Sequence, residues 1–123
     1  MATWLLKTEP SEYSFDDLVR DGETTWDGIS NPVAVKHLLA MAKGDAVVLY
    51  HTGKERRAVG LAEVVAAGPR IRALKPLPRP VGLDELKAAP AFAASPLVTM
   101  GRLSVVPLDA RQARLILKLA QVR

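Results

Sequence analysis

The segment spanning residues 46–65 limits the possible folds more than any other. Ala46-Val47-Val48-Leu49-Tyr50-His51 and the run at residues 58–65 are both apolar and rich in β-branched side chains, and only a polar stretch containing Gly53 separates them. Such a pair reads as an antiparallel hairpin. Residues 3–8 form a further strand, closed by Glu9 and by Pro10, which has no N–H to give a sheet ladder. Ser14 with an acid three residues on, Asp17, reads as a capping box opening a short helix that Gly22 stops. Residues 24–26 are again strand-like and Asp27-Gly28 is a turn. Asn31 then caps a helix with Pro32 at its first position, expected to run about three turns to Gly44.

The second half is more broken. Residues 71–77 read as a strand cut short by Pro76 and Pro78, and residues 83–87 as a short helix. Residues 103–107 form a last strand, after which Asp109 caps a helix carrying Ala113, Ile116, Leu117 and Ala120 on its apolar face. Short strands outnumber helices and no regular strand–helix alternation develops, so the expected class is α+β: a half-open β-barrel flanked by short helices, not a doubly wound sheet. With 123 residues, no internal repeat and no linker-like stretch, residues 1–123 are expected to form a single domain.

Composition narrows the functional classes. The absence of cysteine removes disulfides, thiolate nucleophiles and cysteine-ligated zinc. Residues 1–7 lack the pattern of a signal peptide and no apolar run has the length of a membrane span, so a cytoplasmic location without membrane contact is expected. HExxH, Walker and GxSxG patterns are missing, and His37 and His51 have no neighbouring ligand pattern. No metal, no cofactor and no catalytic residue is therefore assigned. The net charge of +4 suits a partner bearing phosphates.

Four segments carry chemistry that a strand or turn does not need. Lys7 and Glu9 place a cation and a carboxylate at a strand end, where pockets open, although a solvated ion pair reads the same way. Trp26 offers a π face for a planar base and Asn31 an amide for its edge, with Ser30 between them, while a core role for the indole stays open. Tyr50, His51 and Thr52 supply donors and acceptors beside Gly53. Arg102 and Ser104 add a cation and a hydroxyl before the last strand, and Lys54, Arg56 and Arg57 form a basic loop suited to phosphates.

The order of these segments resembles a known family. Trp4-Leu5-Leu6-Lys7-Thr8-Glu9-Pro10, Tyr13 to Leu18, Thr25-Trp26-Asp27-Gly28-Ile29, Val48-Leu49-Tyr50-His51-Thr52, Val59 to Val64 and Met100-Gly101-Arg102-Leu103-Ser104-Val105 closely resemble the EVE domain family of the PUA-like superfamily. The resemblance implies a curved barrel with a pocket and a non-catalytic role as a monomeric reader of modified bases in nucleic acid, DNA ahead of RNA. The leading candidates are 5-methylcytosine and its oxidised forms. By that likeness Trp26 is a wall of the base cage, Ser30 and Asn31 lie beside it, Tyr50, His51 and Thr52 line the opposite side, and Lys7, Glu9 and Ser104 lie near the rim. Two departures stand out: Ser30-Asn31-Pro32 replaces an Arg-Asn pair, and residues 66–70 run almost directly from the hairpin into the next strand. Two other classes remain open: a small hydrolase or nucleotide-processing enzyme using His51 with Glu9 as an acid–base pair, and a protein-interaction accessory domain.

Overall fold

The computed structural model describes residues 2–122. Its strands are β1 (Thr3–Thr8), β2 (Glu23–Thr25), β3 (Ala46–His51), β4 (Arg57–Ala66), β5 (Arg70–Gly82) and β6 (Val105–Leu108). Its α-helices are α1 (Phe15–Asp21), α2 (Pro32–Ala40), α3 (Leu83–Lys87), α4 (Pro96–Thr99) and α5 (Ala110–Leu119), with a 3-10 turn at Pro90–Phe92. The strands form one curled mixed sheet in the order β2-β5-β4-β3-β1-β6. Its centre is the hairpin read from sequence: β3 pairs antiparallel with β4 on one side and parallel with β1 on the other. A parallel pair needs a crossover, and α1, β2 and α2 supply it.

The hairpin curves because β4 has a bulge. Leu49 pairs with Gly60 and Tyr50 with Ala58, leaving Val59 unopposed. Gly60 is required there for a second reason: a Cβ on it would lie 2.3 Å from Cε1 of Phe15, whose ring covers the strand. The core extends on both faces of β3, where Val47, Val48, Leu49 and Tyr50 are all buried, as expected of a central strand covered on both sides.

Cap chemistry sets most helix boundaries. Ser14 Oγ accepts the Asp17 N–H at 3.1 Å while Asp17 Oδ2 accepts the Ser14 N–H at 2.8 Å, and Gly22, with φ +77°, ends α1. Asn31 Oδ1 accepts the N–H groups of Val33 and Ala34 to open α2. That helix ends at Ala40, short of Gly44, because the Ala42 N–H turns to Asp45 Oδ2 at 2.9 Å. Asp45 is buried and also accepts from Trp4 Nε1 at 3.0 Å and from the Ala2 N–H at 3.1 Å.

β5 departs most from expectation, continuing through Pro76 and Pro78 to Gly82. Between Gly60–Pro76 and Ala58–Val81 the ladder with β4 is interrupted, so no donor is required of Pro78 or Pro80, and Pro76 sits on the last rung before the gap. Pro76, Pro78 and Pro80 are exposed, Leu77 and Val81 point inward, and the Arg79 N–H reaches the Ala120 carbonyl at 3.1 Å. The last strand begins at Val105, two residues later than expected, although the Ser104 carbonyl just before it already accepts the Lys7 N–H of β1.

Candidate functional site

Two cavities open at the same end of the sheet, where β1 and β3 finish. The first, about 420 Å³, is lined by Lys7 to Glu9, Glu12, Tyr13 and the segment from Thr24 to Ile29. Its volume lies within the ~300–1,000 Å³ common for small-ligand sites. The turn after β1 builds one wall. Glu9 carbonyl oxygen accepts the N–H groups of Glu12 and Tyr13, and Thr8 Oγ1 donates to the Tyr13 carbonyl at 2.6 Å, which brings Tyr13 back beside the strand.

Trp26 forms the facing wall. Its ring meets Tyr13 edge to face, with centroids 6.1 Å apart and planes at 77°. Only 8% of Trp26 is exposed, so the indole serves the core and the cavity together. Its N–H group on the main chain donates to the Pro69 carbonyl at 2.9 Å, so the short connection before β5 helps hold it in place. Burial, assisted by the bond from Tyr13 Oη to Asp21 Oδ2 at 2.8 Å, pushes the Tyr13 phenol above its ordinary pKa.

The charges lining this cavity are lopsided. Glu9, Glu12 and Asp27 contribute three carboxylates against the single ammonium of Lys7. Glu9 Oε1 accepts from the N–H and Oγ of Ser11, which fixes the carboxylate in place. Its Oε2 lies so close to Gly53 that a Cβ there would come within 2.6 Å.

The second cavity, about 230 Å³, lies across Lys7 from the first. Tyr50, Thr52, Gly53 and Arg56 from the hairpin, Leu83 and Lys87 from α3, and Leu97, Val98 and Gly101 complete its lining. Lys7 Nζ donates to the Gly101 carbonyl at 2.9 Å and stands 5.8 Å from the centre of the Tyr50 ring. Burial holds this ammonium below the usual lysine pKa and pushes the Tyr50 phenol above its own.

The residues singled out in the sequence thus fall into three groups. Lys7, Glu9 and Trp26 meet at the first cavity, and Lys7, Tyr50, Thr52 and Arg56 at the second. Ser30, Asn31, His51 and Ser104 line neither. Asn31 uses its carbonyl oxygen on the α2 cap. Both ring nitrogens of His51 are engaged, Nε2 accepting the Phe15 N–H and Nδ1 bound to Glu55 Oε1, each at 3.0 Å. Lys54 and Arg102 are exposed, and Arg57 pairs with Glu55. Sequence reading passed over Tyr13, Glu12, Asp27 and Lys87 as site residues. An aromatic closing the turn of a strand end was the available signal for Tyr13.

Among the described residues no cluster of three or more His, Asp or Glu side chains is arranged to hold a metal, and no helix is long and apolar enough to cross a membrane. A curled half-barrel with short helices packed around it and cavities at its strand ends defines the PUA-like class. Within that class the chain belongs to the EVE domain family, whose model matches residues 2–71 and 68–119. The two matched stretches meet where the hairpin runs straight into β5. Rpa0253 of Rhodopseudomonas palustris is 35% identical, with a TM-score of 0.91 over 99% of this chain and 94% of that one. Atu2648 of Agrobacterium tumefaciens is 31% identical, with a TM-score of 0.92 over 98% and 93%. Human THYN1, solved in complex with DNA containing 5-methylcytosine, has the same fold: TM-score 0.90 over 100% and 99%, at 23% identity. No curated protein matches the chain.

Proposed function

We propose that this chain is a non-catalytic module that binds nucleic acid, DNA ahead of RNA, by taking a flipped modified base into the cavity between Trp26 and Tyr13. The base is 5-methylcytosine or an oxidised derivative. The observation that carries this reading is the composition of that cavity: aromatic walls with three carboxylates and one ammonium around them. Cytosine presents an exocyclic amine, which carboxylates accept, together with ring acceptors that an ammonium can meet. Thymine presents a carbonyl where cytosine has its amine, and that group would face oxygen. The human relative bound to methylated DNA on the same fold adds support.

Flipping a base out of a duplex costs a few kcal/mol, so selectivity depends on how well the cavity fits the modification. Catalysis by His51 with Glu9 has less behind it: both imidazole nitrogens are occupied by structural bonds, and His51 does not line the cavity that Glu9 lines.

Titration of matched duplexes carrying cytosine, 5-methylcytosine or its hydroxymethyl form tests the reading. Wild-type protein should prefer the modified duplexes and release them unchanged. Trp26→Ala should lose the preference and keep a weak, salt-sensitive affinity. Because Trp26 also packs in the core, Glu9→Gln at the rim provides a second variant, expected to weaken binding of all three duplexes, which share the amine, without unfolding. Equal affinity of the wild type for all three duplexes, full preference in a folded Trp26→Ala, or unweakened binding in Glu9→Gln overturns the proposal.

A further inference from the structure

The two cavities differ in charge in a way that divides one ligand between them. The first has three carboxylates to one ammonium and repels an anion. The second is lined by Lys7, Arg56 and Lys87 with no carboxylate. Neither Arg56 nor Lys87 takes part in an ion pair among the described residues. Arg56 Nε reaches only the Gly53 carbonyl, at 3.3 Å. Asp84 is the one carboxylate whose charge acts on Tyr50, and it stays outside the lining.

The hydroxyls point the same way. Tyr50 is 3% exposed and lines the cavity, yet its Oη has no hydrogen-bond partner among the described residues. Among the described residues no buried side-chain polar atom lacks a partner, so this hydroxyl is open to the cavity and free to donate to a ligand there. Its raised pKa keeps it a donor well into the alkaline range. Thr52 adds a second hydroxyl, bonded only loosely to the Thr8 carbonyl at 3.3 Å. At about 230 Å³ the cavity is below the range of ~300–1,000 Å³ for whole small ligands, and suits a group of a few heavy atoms.

Resting on the base-binding reading above, we infer that the second cavity is a phosphate subsite: Lys7, Arg56, Lys87 and the hydroxyls of Tyr50 and Thr52 seat the phosphodiester attached to the nucleotide whose base enters the first cavity. Lys7 lines both cavities, and its ammonium lies with Gly101 and Tyr50 in the wall of the second, so this residue joins the base site to the phosphate site. The Glu9 carboxylate, packed against Gly53, stands as the partition that turns the phosphate toward the cationic side. The ligand is thus a nucleotide within a strand, with its base and its phosphate read separately.

The test uses duplexes with one 5-methylcytosine in which single phosphates are replaced in turn by neutral methylphosphonates, titrated against wild type and the Arg56→Ala/Lys87→Ala double variant. Removal of the two surface cations leaves the core untouched. One replacement beside the modified base should weaken wild-type binding and have no further effect in the variant, the mark of groups that touch. The variant should bind modified and unmodified duplexes more weakly by the same factor, with a log–log salt slope shallower by about 0.9 for each phosphate it no longer neutralises. If the two losses multiply at every position, the subsite does not exist. A second arm separates this inference from the reading it rests on: inorganic phosphate is titrated while the backbone amide signals of Thr52 and Gly53 are followed. Saturable shifts in the wild type and none in the variant support the subsite even if no duplex is preferred. A preference for modified duplexes without any phosphate response overturns the subsite and leaves base binding intact.

Discussion

The imidazole Nε2 of His51 accepts the backbone N–H of Phe15 at 3.0 Å, joining the end of β3 to the first turn of α1. Since Nε2 is the acceptor, the proton resides on Nδ1, which donates to Glu55 Oε1. That bond from His51 is the main reason the Glu55 carboxyl lies below its usual pKa. His51→Ala should leave a buried N–H unpaired at the helix start and cost about 1–3 kcal/mol. Urea unfolding measures it, and an unchanged midpoint would remove the capping role.

Gly60→Ala should be among the most damaging single-methyl changes in the chain. The added Cβ would meet the Phe15 ring at 2.3 Å, and overpacking of this kind typically costs about 1–3 kcal/mol. Trimming the ring should relieve it: in a Phe15→Leu background the same substitution should cost clearly less, giving a coupling of at least ~0.5 kcal/mol in a double-mutant cycle. Additive costs would mean that the strand, not the ring, is disturbed.

Acid should loosen the fold through Asp45. Burial by itself would raise the pKa of this carboxyl, but the hydrogen bonds from Ala42, Trp4 and Ala2 outweigh it and hold the value below the ordinary 3.8. A folded value below the unfolded one means that the stabilisation is complete above the unfolded pKa and fades as pH falls from there through the folded one. Asp45→Ala should cost roughly 3 kcal/mol near neutrality, where three donors lose a charged acceptor, and less at pH 2. Urea midpoints at both pH values report the difference, and an equal cost at each would contradict the assignment.

Base selectivity should follow the carboxylates. A duplex with thymine in place of 5-methylcytosine keeps the methyl group but carries a carbonyl in place of the amine and an N3–H in place of the ring acceptor, so wild-type protein should bind it more weakly, by about 1–3 kcal/mol for each good pairing lost. Glu9→Gln should shrink that gap, because an amide can donate as well as accept. Competition binding with the two duplexes measures both, and a gap that survives in Glu9→Gln would move the reading group to Glu12 or Asp27.

What could be read from sequence was whatever local chemistry decides. The caps at Ser14, Asn31 and Asp109 were legible because a side chain and the backbone two or three residues on settle them. The end of α2 was not, since it depends on how far the Asp45 carboxylate reaches. Nor was the length of β5, because prolines are tolerated only where the neighbouring ladder breaks, and the break belongs to the tertiary structure. In the site, a cation and an acid at the end of an apolar strand marked Lys7 and Glu9. The polarity of Asn31 and His51 suggested ligand contacts, and part of it serves helix starts, Asn31 Oδ1 at α2 and His51 Nε2 at α1, which composition cannot distinguish.

The position of β1 also affects how the molecule can assemble. Its two neighbours are β3 and β6, so β1 lies between a parallel partner about 40 residues on and an antiparallel partner about 100 residues on. β3, β4 and β5 can meet through short connections, whereas closing β1 onto β6 joins distant parts of the chain, and such pairings form slowly. A nascent chain halted before Val105 therefore keeps one flank of β1 bare. Pulsed hydrogen exchange during refolding should find the β3–β4 amides protected before those shared by β1 and β6.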